Sequence, residues 1–123
     1  MVLDGGRITS RYISIDYNLY QHMIHTFEAI MICSFKDKLT EAVAKGKFPR
    51  ALPPDICRRA IRKLTMIEHA QNLEDLRVPP ANRLEALQGN RKGEHSIRIN
   101  AQWRVCFLWT KDGAEQVEIT DYH

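Results

Sequence analysis

No stretch of this 123-residue chain stays apolar for more than five residues, the length reached from Ala29 to Cys33. A bilayer-spanning helix needs ~20, so no membrane segment is expected. The chain also lacks a basic opening followed by an apolar core and a small-residue cleavage site, which predicts a cytoplasmic protein rather than an exported one. Cysteine is scarce. Cys33, Cys57 and Cys106 are an odd number at wide, irregular spacing, and no CxxC pair is present to indicate zinc or redox work. Each falls in an apolar-looking segment, where a reduced thiol behaves as a small hydrophobe. Internal repeats and low-complexity tracts are missing as well.

What is present suits one folded domain. An apolar fraction of 44% and a charged fraction of 27% match soluble globular chains, and this length buries roughly two thirds of its unfolded surface. The net charge of +3 is small but unevenly placed. Between Arg83 and Arg104, five basic residues (Arg83, Arg91, Lys92, Arg98, Arg104) stand against Glu85 and Glu94. Arg50, Arg58, Arg59, Arg62 and Lys63 form a second cluster, offset only by Asp55. Basic patches attract phosphates and acidic partners alike, and equally often are solvated helix faces.

Residues 1–30 hold three of the four tyrosines, no lysine and no sustained periodicity, whereas a fresh unit begins at Met31. We therefore divide the chain into an extension, 1–30, and a domain, 31–123. The extension is either an over-long reading frame whose natural start is Met31, or an arm that packs on the domain. Met31 to Phe35 reads as a short strand, and Lys36 to Gly46 as a helix with the glycine as its stop. Three prolines between Phe48 and Pro54 dictate a loop. A helix follows, with Pro54 in its first turn and Ile56, Ala60, Leu64 and Ile67 as its apolar stripe, fading near Asn72. Leu73 to Leu76 adds a further turn.

Beyond the prolines the pattern changes to strands. His95 to Ile99, Trp103 to Trp109 and Glu115 to Thr120 alternate, with Asn100-Ala101-Gln102 as a three-residue hairpin loop and Lys111-Asp112-Gly113 as a turn. Helices followed by a meander predict an α+β fold with helices on one sheet face. The three-residue loop sets the register: Ile99 faces Trp103, Ile97 faces Val105, and His95 faces Phe107. It also sets Arg98 opposite Arg104 on the other face. Like charges there destabilise a bare sheet. Either the two guanidiniums form a phosphate clamp on an exposed face, or each pairs with an acid such as Glu118. The chain then closes on Asp121, Tyr122 and His123, a carboxylate, a phenol and an imidazole. These groups could move protons in RNA cleavage by the RNA's own 2′-hydroxyl, with arginine stabilising the phosphate and no metal or cofactor required. The alternative is an incidental frayed end.

Four motifs in order and spacing resemble a known family: Met31-Ile-x-Ser-Phe, Arg83-Leu-Glu-Ala-Leu-x-Gly-Asn-Arg91-x-Gly93, Ser96-Ile-Arg-Ile-Asn-x-Gln-Trp-Arg104, and Val117-Glu-Ile-x-Asp-Tyr-His123. Together they are similar to HigB-type toxins of the RelE/ParE superfamily. That resemblance implies a RelE-like α+β fold, with N-terminal helices packed on a curved antiparallel sheet. It implies a metal-independent mRNA endonuclease acting on the ribosome. The implied partners are mRNA, the ribosome and a HigA-type helix-turn-helix antitoxin, with operator DNA reached only through the antitoxin. Carried onto this chain, His123, Tyr122 and Asp121 match the acid/base and orienting groups, and Arg104 the phosphate-stabilising arginine. Arg83, Arg91, Lys92, Arg98 and Gln102 are candidate RNA contacts. One departure stands out. Some members carry a histidine in the Leu84 to Leu87 segment, where this chain has Glu85, with Gln88 where a lysine is sometimes found. Glu85 could act as a base, yet fewer positive groups imply a mild toxin. Two other roles compete: a ParE-like gyrase inhibitor, which the Tyr122-His123 tail argues against, and a weakly catalytic homologue acting through antitoxin binding and co-repression.

Overall fold

The computed structural model describes residues 31–121. The extension 1–30 and the last two candidate site residues, Tyr122 and His123, lie outside the described residues. Two helices, α1 (Lys38–Ala44) and α2 (Pro54–His69), precede most of a five-stranded sheet. The strands are β1 (Met31–Ile32), β2 (Glu85–Ala86), β3 (Glu94–Arg98), β4 (Trp103–Thr110) and β5 (Gly113–Asp121), in the spatial order β1-β5-β4-β3-β2. β2 to β5 are antiparallel neighbours, whereas the opening β1 runs parallel to β5.

The expected register holds. Ile97 pairs with Val105, His95 with Phe107 and Arg98 with Arg104, and the Ile99 amide donates to the Trp103 carbonyl at 2.9 Å. Strand alternation then sends Ile97, Val105 and Phe107 to one face. They are fully buried against the α2 stripe of Ile56, Ala60, Leu64 and Ile67. Ser96, Arg98, Arg104 and Cys106 belong to the other face by the same alternation.

Local chemistry sets the element ends. Asp37 caps α1 by accepting from the Thr40 amide at 2.8 Å, and Gly46, at φ +88°, ends it in a left-handed conformation. Pro54 occupies the first turn of α2, which stops at His69 rather than near Asn72. Asn72 instead starts a capping box with Asp75 for a 3₁₀ turn, Leu73–Arg77. β2 was not apparent from the sequence, being two exposed residues without alternation. The closing strand carries a bulge opposite Phe107, where Gln116 takes φ +52°. That extra residue brings Ala114, on one side of it, onto the same buried face as Val117 and Ile119 on the other.

One side chain ties α1 to the sheet. Thr40 is fully buried, and its hydroxyl accepts from the Ile119 amide at 2.9 Å. Thr40→Val keeps the volume but strands that amide. It is expected to lower stability by about 1–3 kcal/mol, whereas Thr40→Ser stays close to the parent. Urea unfolding of the two variants checks the difference.

Candidate functional site

The polar face of the sheet is organised around Arg104. This side chain is only 5% exposed, although it sits on the face expected to be open. The residues preceding and forming β2 cover it. A buried guanidinium needs acceptors along its edge, and oxygens of Ser96, Arg83 and Glu85 supply them, the Ser96 carbonyl lying 3.4 Å from Nη2. Nε donates to the Ser96 hydroxyl at 2.7 Å, and Nη2 donates to the Arg83 carbonyl at 2.7 Å. Glu85 approaches Nη2 at 3.2 Å with a carboxylate that is 47% exposed. The expectation of an exposed two-arginine face is thus corrected at Arg104: the register is as predicted, but a neighbouring segment folds over one of the two. Arg98 remains at the rim, and none of the described carboxylates pairs with it. The alternative, pairing with an acid, is met at Arg104 by Glu85 and not at Arg98; Glu118 instead holds Arg91 at 2.8 Å and Lys36 at 3.7 Å.

Arg83 takes a left-handed backbone, φ 46° and ψ 57°, unusual for a residue with a Cβ. The turn Pro80–Asn82 ends there, and the carbonyl so presented is the one that Arg104 uses. A non-glycine residue in this region costs of order 1 kcal/mol, and it persists where surrounding contacts over-determine it.

The other candidates fall into two further groups. Arg91 is gripped by two carboxylates, Nη1 to Glu94 at 2.6 Å and Nη2 to Glu118 at 2.8 Å, all partly buried. The Glu118 bond in particular holds its guanidinium more firmly charged than usual. Arg91 therefore braces η3 (Gly89–Arg91) against β5, while its neighbour Lys92 is exposed. Cys106, between these charges and the core, has its thiol pushed up chiefly by burial, which keeps it protonated and inert. At the hairpin end, Gln102 donates to Asp121 at 3.0 Å. Asp121 is the cross-strand partner of Trp103, and Thr120 that of Arg104. By alternation Asp121 belongs to the opposite face from Arg104. The structure therefore gathers Arg104, Glu85 and the Arg83 backbone, keeps Gln102 with Asp121 at the strand end, and holds Arg91 apart with acids.

Ser96 was missed in reading the sequence. The signal was available: it alternates with Ile97 and shares the face of Arg104. Among the described residues, no three His, Cys, Asp or Glu side chains gather as a metal ligand set, and no helix is long and apolar enough to cross a membrane.

Comparison with known proteins places this arrangement. Residues 33–123 match the family model described as RelE-like toxin of the type II toxin-antitoxin system HigB. The chain belongs to the HigB-like toxin family. Toxin HigB-1 of Vibrio cholerae is 43% identical over 94 residues, covering 76% of this chain and 98% of that protein. Endoribonuclease HigB of Proteus vulgaris is 29% identical over 93 residues, covering 76% of this chain and 100% of its own length. An uncharacterised protein of Haemophilus influenzae is 41% identical over 58 residues, 47% of this chain and 57% of that one. The α+β architecture agrees with the RelE-like fold. As a toxin of a type II system, this HigB-like protein is one half of a toxin–antitoxin pair.

The contacts of Arg104 rank by burial. Ser96→Ala leaves a charged donor without its buried acceptor and is expected to cost about 1.5–3 kcal/mol. Glu85→Gln, at a half-exposed carboxylate, should cost under about 1 kcal/mol. Thermal and urea unfolding of both variants tests the order, which a larger loss in Glu85→Gln would reverse.

Proposed function

We propose that this HigB-like toxin is an endoribonuclease that cuts mRNA on the ribosome without a metal ion. The observation that carries the reading is the buried guanidinium of Arg104, held by Ser96, Arg83 and Glu85. Charge fixed in a low-dielectric setting stabilises a developing phosphorane far better than the same charge in water, because it needs no reorganisation. The 2′-oxygen attacks phosphorus and the bond to the 5′-oxygen breaks, leaving a 2′,3′-cyclic phosphate and a 5′-hydroxyl. One group takes the 2′ proton and another returns a proton to the 5′-oxygen. His123 and Tyr122 are our choices for acid/base work, with Asp121 as the orienting group held by Gln102. The family membership and the name of the Proteus vulgaris relative support this assignment.

Glu85 gives the reading its expected strength. Its carboxylate occupies Nη2 of Arg104, an atom that a bound phosphate would also approach. Because that carboxylate is half exposed, it can leave for water, but RNA must compete with it. We infer a mild toxin, in which Glu85 either yields to the phosphate or serves as a base. Lys92, Arg98, Arg83 and Gln102 are proposed RNA contacts. Arg91 is proposed with them, acting chiefly by holding the η3 turn in place. The proposed antitoxin is a HigA-type helix-turn-helix protein that brings the toxin to operator DNA, in the cytoplasm.

Primer extension on transcripts after induction provides the test. The expected result is discrete cuts with the parent chain, none with His123→Gln, and cleavage lowered about 10²–10³-fold with Arg104→Lys, whose ammonium lacks the guanidinium fork. Cuts that persist in His123→Gln would remove that residue from the mechanism. No cuts in any of them would favour a binder that acts through its antitoxin, or a gyrase inhibitor. Growth curves address strength: induction should slow growth, and rapid killing would overturn the mild reading.

A further inference from the structure

On the α2 side of the β3–β4 hairpin lies a cleft of about 340 Å³ that Arg104 does not enter. Its walls carry Arg59 and Lys63 from α2, Arg83 from the strained turn, Arg98 from the end of β3, and Asn100 and Ala101 from the hairpin loop. Four cations from three chain segments thus converge, and their compensation is slight. Arg59 has Asp55 one helical turn away at 3.3 Å, an exposed pair of little strength. Lys63 is held by a neutral acceptor, donating to Asn82 at 2.6 Å. Its ammonium is pushed below its ordinary range, first by burial and then by Arg62 outside the cleft. Among the described residues, no carboxylate pairs with Lys63, Arg83 or Arg98.

We propose that this cleft is a phosphodiester-binding subsite, seating the backbone of single-stranded RNA beside the segment that is cut. The inference rests on the endoribonuclease reading and extends it to Arg59 and Lys63, on a helix outside the sheet face. Three observations favour RNA backbone over an acidic protein segment. Three guanidiniums offer the forked geometry that suits phosphate oxygens. Arg98 is the cross-strand partner of Arg104, and the Arg83 carbonyl holds that same side chain, so two residues of the cleft adjoin the proposed reaction centre. No aromatic ring lines it, so bases have nothing to stack on, and the contact is with phosphate and independent of sequence. Its apolar wall is limited to small and partial surfaces, offering a peptide no large anchor.

The test is fluorescence anisotropy of a labelled short single-stranded RNA, titrated with full-length His123→Gln protein so that the probe stays intact. Adding Arg59→Gln and Lys63→Gln is expected to weaken binding about tenfold or more at moderate salt. It should also lower the slope of log K against log salt by about 1.4, two single-strand phosphate contacts. Arg50→Gln with Arg58→Gln removes the same charge outside the cleft, and should leave that slope close to the parent value. Circular dichroism melting confirms that each variant is folded. Equal losses from the two pairs would overturn the subsite in favour of diffuse attraction, and an unchanged slope in Arg59→Gln/Lys63→Gln would overturn it outright. If that pair weakens the complex with the cognate antitoxin while RNA binding is untouched, the cleft belongs to a protein partner. Failure of the function reading looks different: it appears as cleavage indifferent to His123, whatever the salt slopes. RNA binding by none of the proteins would overturn the subsite, while the function reading stands or falls on the cleavage test.

Discussion

A single desolvated cation organises the polar half of this molecule. Arg104 stands on the central strand of an otherwise ordinary sheet, and its burial is tolerable only because oxygen atoms meet its guanidinium on several sides. Each acceptor has a structural consequence. The Ser96 hydroxyl comes from the adjacent strand, so the β3–β4 register must hold to the residue. The Arg83 carbonyl is available only because that residue enters the left-handed region, a local cost offset by the bond it makes possible. Glu85 draws the two-residue β2 onto the sheet edge. The same contacts that satisfy the cation also roof it and shape the rim next to it.

The opposite face follows a simpler rule. Val105, Phe107 and Ile97 alternate with the polar set and meet the stripe of α2, while Val43 of α1 closes the layer. The bulge at Gln116 joins the two requirements. Without the added residue, the alternation of β5 would slip by one, and Ala114 would face away from the layer that Val117 and Ile119 enter. With it, the strand stays apolar inward along its length, and Thr120 arrives opposite Arg104.

Charge is handled differently in the three basic regions. Around Arg91 the cation is neutralised by two acids and becomes a brace. Around Arg104 it is caged by acceptors of which one, Glu85, is half free to leave. In the cleft between α2 and the hairpin, the described residues leave it largely uncompensated. Under the proposed function, this division puts fixed charge where bonds change and open charge where the polymer is held.

The α+β class, the α2 stripe and the β3–β4 register were all legible in the sequence. They depend on periodicity and on a loop of fixed length, which are local properties of the chain. The motif that carries Arg104 also singled it out as a candidate site residue. The helix end at His69, the short β2 and the bulge at Gln116 were not legible: a capping box at Asn72 starts a new turn, and β2 and the bulge are defined by pairing with β3 and β4 rather than by alternation. The burial of Arg104 belongs to this second group: nothing local to Trp103-Arg104-Val105 tells that residues 83–85 will fold over it. The sequence by itself determined which face each side chain of the meander occupies, because strand alternation has a period of two. Only the tertiary structure decided which of two facing arginines would be caged and which left open, because desolvation is a property of what packs above a residue and not of the residue.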